Sequence, residues 1–345
     1  MDIKEIVKFL SEYDGRELRL MEVCGTHTAA IRENGIPSLL SHKIKLISGP
    51  GCPVCVTPAS YIDRLCDLSL QDKTCIVTFG DMIRVPGSKE ALQNVKSKGG
   101  NVKMVYSPFE IIDLAKGDRD TIFIFAAVGF ETTTPIYAVL LDKIISENIE
   151  NIKFLTALKT MPAAIDVLCS DADNKIDGFI APGHVSVITG ADAFKPLAEK
   201  YNLPFVVSGF KGEELLASIY ALVKLQGQSK VLNLYKSAVG DRENEKAKAL
   251  VDKYFTPSAA YWRGMGSIEN SGLELKEEYS RFDAGSKNLT EDLPANKGCS
   301  CAEVITGRKS PFDCPLFAKV CNPENPQGAC MVSGEGACFN YFINR

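Results

Sequence analysis

The sequence predicts an α/β fold, with two doubly wound domains that face a cleft and a smaller third domain at the C-terminus. Short β-rich apolar runs alternate with helical patterns through most of the chain, which is typical of parallel sheets with helical crossovers. One run, residues 122–128, is apolar throughout, as expected for a strand buried on both faces of a sheet. From about Val231 the sequence changes character and ends in a cysteine-rich tail, which indicates a separate domain.

The predicted strands are short segments rich in β-branched and aliphatic residues, and helical patterns separate most of them. They are residues 18–23, 45–48, 74–78, 102–105, 121–127, 153–157, 178–180 and 204–207. A chain of 345 residues is long for a single core. We therefore expect residues 1–118 and 119–230 to form the two α/β domains and residues 231–345 to form the third.

Helix starts are marked by characteristic residues. An amphipathic helix is expected over residues 1–13, and Thr57-Pro58 and Thr134-Pro135 each place an N-cap threonine before a proline at the first helical position. A charged helix is expected over residues 244–254. Residues 264–297 are polar and have no clear period, so we expect an irregular segment there.

The composition excludes several classes of protein. A net charge of −4 and a pI near 5.6 provide no basic surface for nucleic acid. The longest apolar stretch, residues 121–130, is about half the ~20 residues that a membrane-spanning helix needs. Acidic residues interrupt the N-terminal helix, so it does not predict a signal peptide. We expect a cytoplasmic protein, in which the twelve cysteines serve as core, metal-binding or redox residues.

The tail contains half of the cysteines. The last 47 residues include Cys299, Cys301, Cys314, Cys321, Cys330 and Cys338. Four thiolates can hold a [4Fe–4S] cluster, and this spread spacing allows the chain to wrap around one. Zinc also takes four thiolates, but the tail lacks the paired CxxC knuckles that zinc sites usually contain. A third interpretation is a set of inert core thiols.

The expected cluster ligands are Cys301, Cys314, Cys321 and Cys338. Six thiols exceed the four that a cluster needs. Cys299 or Cys330 could therefore replace one of the four, and the sequence does not decide between these sets.

Near the N-terminus, Cys24 lies between a predicted strand and a predicted helix. The positive end of that helix is expected to lower the pKa of the thiol and to favour the thiolate. His27, three residues further on, could orient or protonate a group bound at the sulfur. The alternative is a small buried cysteine beside a capping histidine.

A second thiol pair, Cys52 and Cys55, forms a CxxC motif just before a predicted helix. That arrangement is used for dithiol–disulfide exchange. The pair could instead be half of a zinc site that Cys24 and His27 complete, or it could be structural. In a chain that also has a cluster-binding tail, a CxxC motif suggests that electrons move between the two.

Several segments together resemble the HypD family of [NiFe]-hydrogenase maturation proteins. They are Cys-Gly-Thr-His at 24–27, Gly-Pro-Gly-Cys-Pro-Val-Cys-Val-Thr-Pro at 49–58, Gly-Phe-Glu-Thr-Thr-Thr-Pro at 129–135, Ala-Pro-Gly-His-Val-Ser at 181–186, and the tail. The resemblance extends from about Glu22 to Tyr341, and the motifs occur in the same order as in the family.

The resemblance implies a scaffold on which an iron atom acquires carbon monoxide and two cyanides before its delivery to a hydrogenase. It implies that Cys24 binds this iron, and that Cys52 and Cys55 relay electrons from a [4Fe–4S] cluster. The implied partners are a small HypC-type chaperone, whose N-terminal cysteine shares the iron, and a HypE-type cyanide donor. Such a protein is an accessory factor in metallocofactor assembly rather than a classical turnover enzyme.

Two further loops fit this role. Glu131 and the threonines after it lie between a predicted strand and a helix, where free N–H groups can receive an anion such as cyanide. His184 has the equivalent position in the second half, where a neutral imidazole could donate a hydrogen bond or move a proton. The threonines could equally be plain helix caps, and His184 could be structural.

Two other functions remain open at this stage. An independent protein disulfide reductase would use the cluster and the Cys52–Cys55 pair but would not need a separate iron-binding thiol at Cys24. A zinc-stapled binding module would be colourless. The sequence has neither a P-loop nor a GxGxxG motif after a strand, so no motif supports nucleotide binding.

Overall fold

The computed structural model describes residues 2–171, 173, 175–289 and 296–345. Over these residues the chain forms two β-sheets that are connected and covered by helices. The α/β class expected from the sequence is confirmed, and both sheets are largely parallel.

The strands of the described chain are numbered in sequence order. They are β1 (Leu18–Glu22), β2 (Ile44–Ser48), β3 (Thr74–Thr78), β4 (Val102–Met104), β5 (Ile122–Gly129), β6 (Ile152–Lys159), β7 (Gly178–Ala181), β8 (Phe205–Val207), β9 (Val231–Asn233), β10 (Phe255–Trp262) and β11 (Gly266–Leu275). The first eight of these overlap the eight segments predicted as strands.

The α-helices are numbered in the same way. They are α1 (Ile3–Ser11), α2 (Gly25–Glu33), α3 (Pro53–Val56), α4 (Ala59–Ser69), α5 (Gly80–Arg84), α6 (Leu92–Ser97), α7 (Glu110–Gly117), α8 (Thr134–Ser146), α9 (Met161–Ser170), α10 (Gly183–Thr189), α11 (Lys195–Tyr201), α12 (Gly212–Lys224), α13 (Glu245–Tyr254), α14 (Cys301–Ile305) and α15 (Ala337–Ile343). Short 3₁₀ helices occur at Ile36–Leu39, Ala191–Phe194, Glu277–Phe282, Ser286–Asn288, Pro311–Asp313 and Ala329–Met331.

The first sheet has the strand order β2-β1-β7-β8-β9, and all of its neighbouring strands are parallel. The second sheet has the order β10-β11-β6-β5-β3-β4. Its β4, β3, β5 and β6 are parallel, whereas β10 and β11 form an antiparallel hairpin at the other edge. The carboxyl ends of parallel strands share one edge of a sheet, so each sheet has one edge at which loops can form a site.

Each sheet takes strands from both of the α/β domains that the sequence suggested, 1–118 and 119–230. The first sheet joins β1 and β2 to β7 and β8, and the second sheet joins β3 and β4 to β5 and β6. The second sheet also takes β10 and β11 from the expected third domain, 231–345. The boundaries expected at 118 and 230 therefore do not separate the sheets, because strand pairing here joins distant segments.

The central strand β5 shows why both faces of the second sheet are covered. Its side chains alternate: Phe123 and Phe125 pack in one apolar cluster with α7 and α8, and Ile124 and Ala126 pack in another with α4 and α6. A strand that is buried on both sides must be apolar at every position, which explains the continuous apolar run in the sequence.

The expectation of an irregular segment over residues 264–297 is wrong for its first part. Residues 266–275 form β11, which pairs antiparallel with β10 and with β6. The sequence signal for these two strands was weak, because many of their residues are exposed or half-buried and Pro257 lies near the sheet edge. The later residues 290–295 lie outside the described part of the chain.

The helix-start predictions hold to within one residue. The α8 helix begins at Thr134 with Thr133 as its N-cap, and the Thr134 hydroxyl donates to the carbonyl of Phe130. The α4 helix begins at Ala59 with Pro58 as its N-cap, while the Thr57 hydroxyl bonds back to Pro53. No helix in the described ranges has the length and apolar character needed to cross a membrane.

Candidate functional site

Three loops with chemically active residues meet at the carboxyl edge of the first sheet. Cys24 follows β1, Cys52 follows β2, and His184 follows β7. Because β2, β1 and β7 are adjacent and parallel, their following loops must lie side by side. The topology thus explains why motifs from distant parts of the sequence share one site.

The loop before Cys52 packs directly on the backbone of Cys24. The N–H of Gly25 donates to the carbonyl of Gly51 at 3.0 Å. A Cβ on Gly51 would collide with the backbone nitrogen of Cys24, so glycine is required there for this close approach. Cys24 and the Cys52 loop therefore form one unit.

Cys24 lies between β1 and α2, as the sequence predicted, and it is the N-cap residue of this helix, but its thiol is not activated in this state. Burial raises the pKa of the thiol to about 12, because desolvation outweighs the nearby backbone N–H groups of His27 and Thr26. The lowered pKa expected at a helix N-terminus is therefore wrong for the free thiol. The sequence reveals the helix end but not the depth of burial.

Glu22 is a buried carboxyl group beside Cys24 that the sequence analysis missed. It is 2% exposed, and it accepts hydrogen bonds from the Thr28 hydroxyl and from the backbone N–H of Cys24 at 3.3 Å. Burial raises the pKa of Glu22 to about 8, so it is largely protonated at neutral pH. Its position as the last residue of a mostly apolar strand, directly before the Cys24 loop, was the only available signal.

His27 is fully buried, and its ring nitrogens have different surroundings. Its Nε2 lies 3.3 Å from the carbonyl oxygen of Ser208 and 3.1 Å from that of Gly209, so this nitrogen carries the proton. Within the described residues Nδ1 has no hydrogen-bond partner. Burial lowers the pKa of His27 to about 4, which makes the ring neutral. The neutral ring carries a single N–H, which already faces the carbonyl oxygens of Ser208 and Gly209. In this state His27 therefore has no free N–H to donate to a group bound at Cys24.

Phe210 connects the two histidines of the site. Its ring stacks on His184 at 4.1 Å between centroids and packs against His27 at 4.8 Å. His184 is exposed on its other side, and partial burial lowers its pKa. The structure thus brings His184 to the same edge as Cys24, with an aromatic ring between it and His27.

Cys52 and Cys55 form a disulfide bond, with 5.2 Å between their Cα atoms. The pair is enclosed in the short helix α3, and the N–H of Cys55 lies 3.1 Å from the sulfur of Cys52. Cys52 is 4% exposed and Cys55 is 1% exposed, so neither sulfur is open to solvent. A large protein substrate cannot reach this bond without movement of the surrounding loops.

Arg263, at the tip of the β10–β11 hairpin, holds the disulfide helix in place. Its side chain donates to the carbonyls of Cys55 at 3.0 Å and Thr57 at 2.7 Å, and its backbone N–H donates to Val56 at 2.9 Å. The next residue, Gly264, has a φ of +76° and lies against the backbone of Ala302 in the tail. The hairpin tip therefore lies between the disulfide and the tail cysteines.

The six tail cysteines come together in one apolar region with Cys52 and Cys55. Cys330 lies at the centre: its sulfur is 3.0 Å from that of Cys338, and it is also hydrogen-bonded to Cys301. Cys314 and Cys321 are buried nearby, whereas Cys299 is half-buried beside an open cavity of about 370 Å³. The tail thus brings together all of the thiols that the sequence singled out there.

In the absence of a cation, their surroundings raise the pKa of Cys299, Cys301, Cys321, Cys330 and Cys338 and so favour the protonated thiols. Burial raises the pKa of Cys299 to about 12, and hydrogen bonding within the group followed by burial raises the pKa of Cys301. A bound cation would remove this penalty and release the protons. A Cβ on Gly328 would approach the sulfur of Cys299 to 2.6 Å, so the chain at this point is closely fitted around the thiols.

Over the described ranges, no three Cys, His, Asp or Glu side chains converge to hold a single metal ion. This geometry does not favour the single zinc site considered from the sequence, for either thiol group. A [4Fe–4S] cluster has a different requirement, because its four thiolates bind four separate iron atoms and do not point at one centre. The six tail cysteines supply the donor type, and more than the number of thiols, that such a cluster needs.

The tail contacts both parts of the first-sheet site. The sulfur of Cys55 lies 3.9 Å from the carbonyl oxygen of Ala329, the residue before Cys330. At the other loop, the Thr26 hydroxyl donates to Glu335 at 3.1 Å, and a Cβ on Gly25 would collide with Glu335. The tail therefore packs on the start of α2, next to Cys24, and also approaches the disulfide.

Glu131 lies at the corresponding edge of the second sheet, after β5. One of its carboxylate oxygens accepts from the N–H of Met161 at 2.7 Å, while the other is buried and has no partner among the described residues. Burial raises the pKa of Glu131 to about 7. No hydrogen bond joins Glu131 to Cys24, His27 or His184 in the described part of the structure.

A cavity of about 400 Å³ separates the disulfide helix from the edge of the second sheet. Pro53 and Val54 line one side, and Gly80 and Thr133, which follow β3 and β5, line the other. The cavity therefore lies between a loop of the first sheet and loops of the second sheet. Its wall is mainly apolar, and the Cys52–Cys55 helix forms part of it.

Comparison with known proteins agrees with this arrangement. The family model HypD, described as "Hydrogenase formation hypA family", matches residues 2–345. The chain is 39% identical to the hydrogenase maturation factor HypD of Escherichia coli K12 over 348 residues, which cover 99% of this chain and 93% of the relative. It is also 39% identical to the HypD of Azotobacter vinelandii over 338 residues (95% and 89%) and 37% identical to that of Rhodobacter capsulatus over 339 residues (95% and 89%). The chain therefore belongs to the HypD family.

Proposed function

We propose that this protein is a scaffold in hydrogenase maturation, on which an iron atom acquires carbon monoxide and two cyanide ligands. Cys24 holds the iron, Cys52 and Cys55 exchange electrons, and the tail thiols hold an iron–sulfur cluster. One observation carries the proposal: the Cys52 loop packs on the backbone of Cys24, while Cys55 contacts the tail. The names of the relatives, hydrogenase maturation factors, support the same role.

Cys24 is suited to a soft metal. Low-spin iron that carries carbonyl and cyanide ligands prefers thiolate to carboxylate. The burial that now keeps the thiol protonated disfavours a free anion, but a bound cation offsets that cost and displaces the proton. The backbone N–H groups of Thr26 and His27 then stabilise the thiolate.

The Cys52–Cys55 pair supplies two electrons at a time. Reduction breaks the S–S bond, takes up two electrons and two protons, and leaves two thiols. The dithiol therefore stores two electrons and two protons beside Cys24, and it returns to the disulfide when an oxidised group bound there takes up both electrons and both protons. The hydrogen bonds from Arg263 keep the helix that carries this pair fixed against the tail.

A [4Fe–4S] cluster, when bound, would supply single electrons. We assign Cys301, Cys314, Cys321 and Cys338 as its ligands, with Cys299 or Cys330 as possible replacements. Cys330 follows Ala329, which touches Cys55, and it contacts Cys338. Cys330 is therefore the tail thiol that the chain places between the disulfide and the other tail cysteines.

Glu131 and His184 would act on the ligands of the iron. A protonated Glu131 can donate a hydrogen bond to a cyanide nitrogen, and its unpartnered oxygen is free to do so. The N–H groups at the start of α8 can also receive an anion. The neutral His184 ring, exposed on one side, can donate a hydrogen bond or move a proton.

The partners in this scheme are a small HypC-type chaperone and a HypE-type cyanide donor. The chaperone presents its own cysteine to the iron at Cys24, and the donor delivers cyanide through the cleft. The work is done in the cytoplasm, where reductants keep the remaining thiols reduced. Neither nucleic acid nor a membrane takes part.

A disulfide reductase acting on other proteins is the second candidate, and the structure gives it less support. Such an enzyme must present its sulfurs to an incoming thiol. Here both sulfurs are almost completely buried, whereas the neighbouring Cys24 loop provides a separate thiol that a reductase would not need.

Iron analysis after anaerobic purification with the small chaperone tests the proposal. We expect about one iron per protein beyond the cluster iron in the wild type, and its loss in Cys24→Ala. Cys66→Ala is a matched control, since Cys66 is a buried thiol on α4 and is not part of the three loops of the site. Equal iron content in Cys24→Ala and the wild type would refute the proposed site.

A further inference from the structure

A second cavity, of about 540 Å³, lies at the antiparallel end of the second sheet. Residues of β6, β10 and β11 line it, together with the 3₁₀ helix at Ser286–Asn288. No cysteine is among its lining residues in the described structure, so it is separate from the thiol site. Its most unusual feature is a buried lysine, Lys159.

Lys159 is the last residue of β6 and is 2% exposed. Its ammonium donates to the carbonyl oxygen of Tyr261 at 2.8 Å and lies 5.5 Å from the centre of the Trp262 ring. Over the described chain it makes no ion pair with a carboxylate. An ammonium has three N–H groups, so this one retains donors for a ligand in the cavity.

The charges around Lys159 do not compensate for its burial. Burial lowers its pKa to about 7, and the nearby positive charge of Arg263 acts in the same direction. The other charged residues that line the cavity are Glu274 and Lys287, which lie 3.6 Å apart and pair with each other. A buried cation without a counter-ion is costly, and an anion that enters the cavity would remove this cost.

The other residues that line the cavity indicate which class of anion fits it. Leu158, Pro257, Ala260 and Leu273 provide the apolar part of the wall, and the hydroxyl-bearing residues Thr156, Ser258, Ser267 and Ser286 also line the cavity. One available cation matches one negative charge, and an apolar wall matches a short hydrocarbon chain. A doubly charged phosphate would lack a second cation, because Lys287 is already paired.

We propose that this cavity binds a small organic monocarboxylate, with the Lys159 ammonium as its counter-ion. The carboxylate accepts from the ammonium, and the carbon chain packs on the apolar wall. Tyr261, which accepts from Lys159, also lines the cavity beside Cys299, so the ligand site adjoins the hairpin that holds the disulfide helix. This site does not depend on the scaffold role proposed above.

The test measures the unfolding temperature of the cluster-containing protein in butyrate and in chloride at equal ionic strength. A ligand that binds only the folded state raises that temperature in a saturable way. We expect a rise of a few degrees with butyrate in the wild type and none in Lys159→Met. The control is Lys287→Met, which removes a half-exposed lysine of the same cavity and should retain the rise.

Three results would overturn the proposal: no rise beyond that with chloride, an equal rise in Lys159→Met, or a loss of the rise in Lys287→Met alone. Titration calorimetry with butyrate on the wild type decides the matter even if Lys159→Met does not fold. A saturable heat supports the site, and its absence up to high millimolar butyrate rejects it.

Discussion

The two thiol groups of this protein are held in different ways. Cys24 and Cys52 are N-cap residues of helices that follow strands of the first sheet, so regular secondary structure fixes their backbones. The tail cysteines lie mostly in loops and short 3₁₀ turns, and what they share is mutual contact. Regular secondary structure therefore fixes the positions of Cys24 and Cys52, whereas most of the tail cysteines have no such element to hold them.

This difference suggests that the two thiol groups have different functions. A scaffold must bind and release its iron without losing its shape, which suits thiols positioned by a sheet edge. A resident cluster can instead supply the cross-links that a loop-rich segment lacks, because metal binding and folding are coupled. We therefore expect changes at the tail to affect stability, and changes at Cys24 to affect binding alone.

The largest effect is expected from Cys338→Ser. This change removes a proposed cluster ligand, so the visible absorption of the cluster should disappear and residues 296–345 should become open to proteolysis. Absorption spectra and limited proteolysis measure the two effects. Cys169→Ser, at a half-buried thiol outside the tail, is the control and should change neither. If residues 296–345 stay resistant to proteolysis after the cluster is lost, the tail does not depend on a cluster for its structure. The proposed difference between the two thiol groups would then be wrong.

The next effect concerns the disulfide. Ten of the twelve cysteines are free, so unfolding the cluster-free protein under argon should expose about ten reactive thiols before reduction and about twelve after it. Cys52→Ser should expose about eleven in both conditions and should retain iron at Cys24. Loss of that iron in Cys52→Ser would instead make Cys52 a ligand.

A moderate effect is expected at Glu22. Its pKa is about 4.5 when unfolded and about 8 when folded, so the folded state holds the proton more tightly. Its contribution to stability is complete below pH 4.5 and falls as the pH rises toward 8, at up to about 1.4 kcal/mol per pH unit. Glu22→Gln should flatten this decline in denaturant unfolding curves. The exposed control Glu199→Gln should leave it unchanged, and an unaltered slope in Glu22→Gln would contradict the assignment.

The smallest effect concerns the contact between tail and first sheet. The guanidinium of Arg32 on α2 lies 3.4 Å from the ring centre of Tyr341 on α15, a cation–π contact worth about 1 kcal/mol. Arg32→Ala should therefore speed proteolysis of the tail slightly. Lys224→Ala breaks a similar contact with Phe9 at 4.1 Å away from the tail and should not speed it. Equal effects of both changes would mean that Arg32 does not anchor the tail.

The sequence was informative where a pattern is local and failed where distant segments meet. The continuous run that became β5 predicted its strand, because burial on both faces requires apolar residues at each position. The hairpin of β10 and β11 was missed, since an edge with half-exposed residues leaves a weak pattern. The pairing of β1 with β7 was not predicted either, because it joins segments over 150 residues apart and no local pattern reveals it.

For the site as well, the sequence revealed local features but not contacts between distant segments. Cys24, Cys52 and His184 were found because each lies in a loop between a strand and a helix, which is a local signal. The raised pKa of Cys24 was not predicted, because the sequence shows where the helix begins but not how deeply the thiol is buried. Glu22 looked like one more strand residue, although the fold buries it beside Cys24.

The most direct test of the central claim is an infrared spectrum of the protein purified anaerobically with the proposed HypC-type chaperone. The window to record is that of metal-bound carbonyl and cyanide stretches. The account predicts carbonyl and cyanide bands in the wild type that vanish in Cys24→Ala, with the visible absorption of the cluster retained. Bands that persist in Cys24→Ala, or an empty window in wild-type protein that still has its cluster, would contradict it.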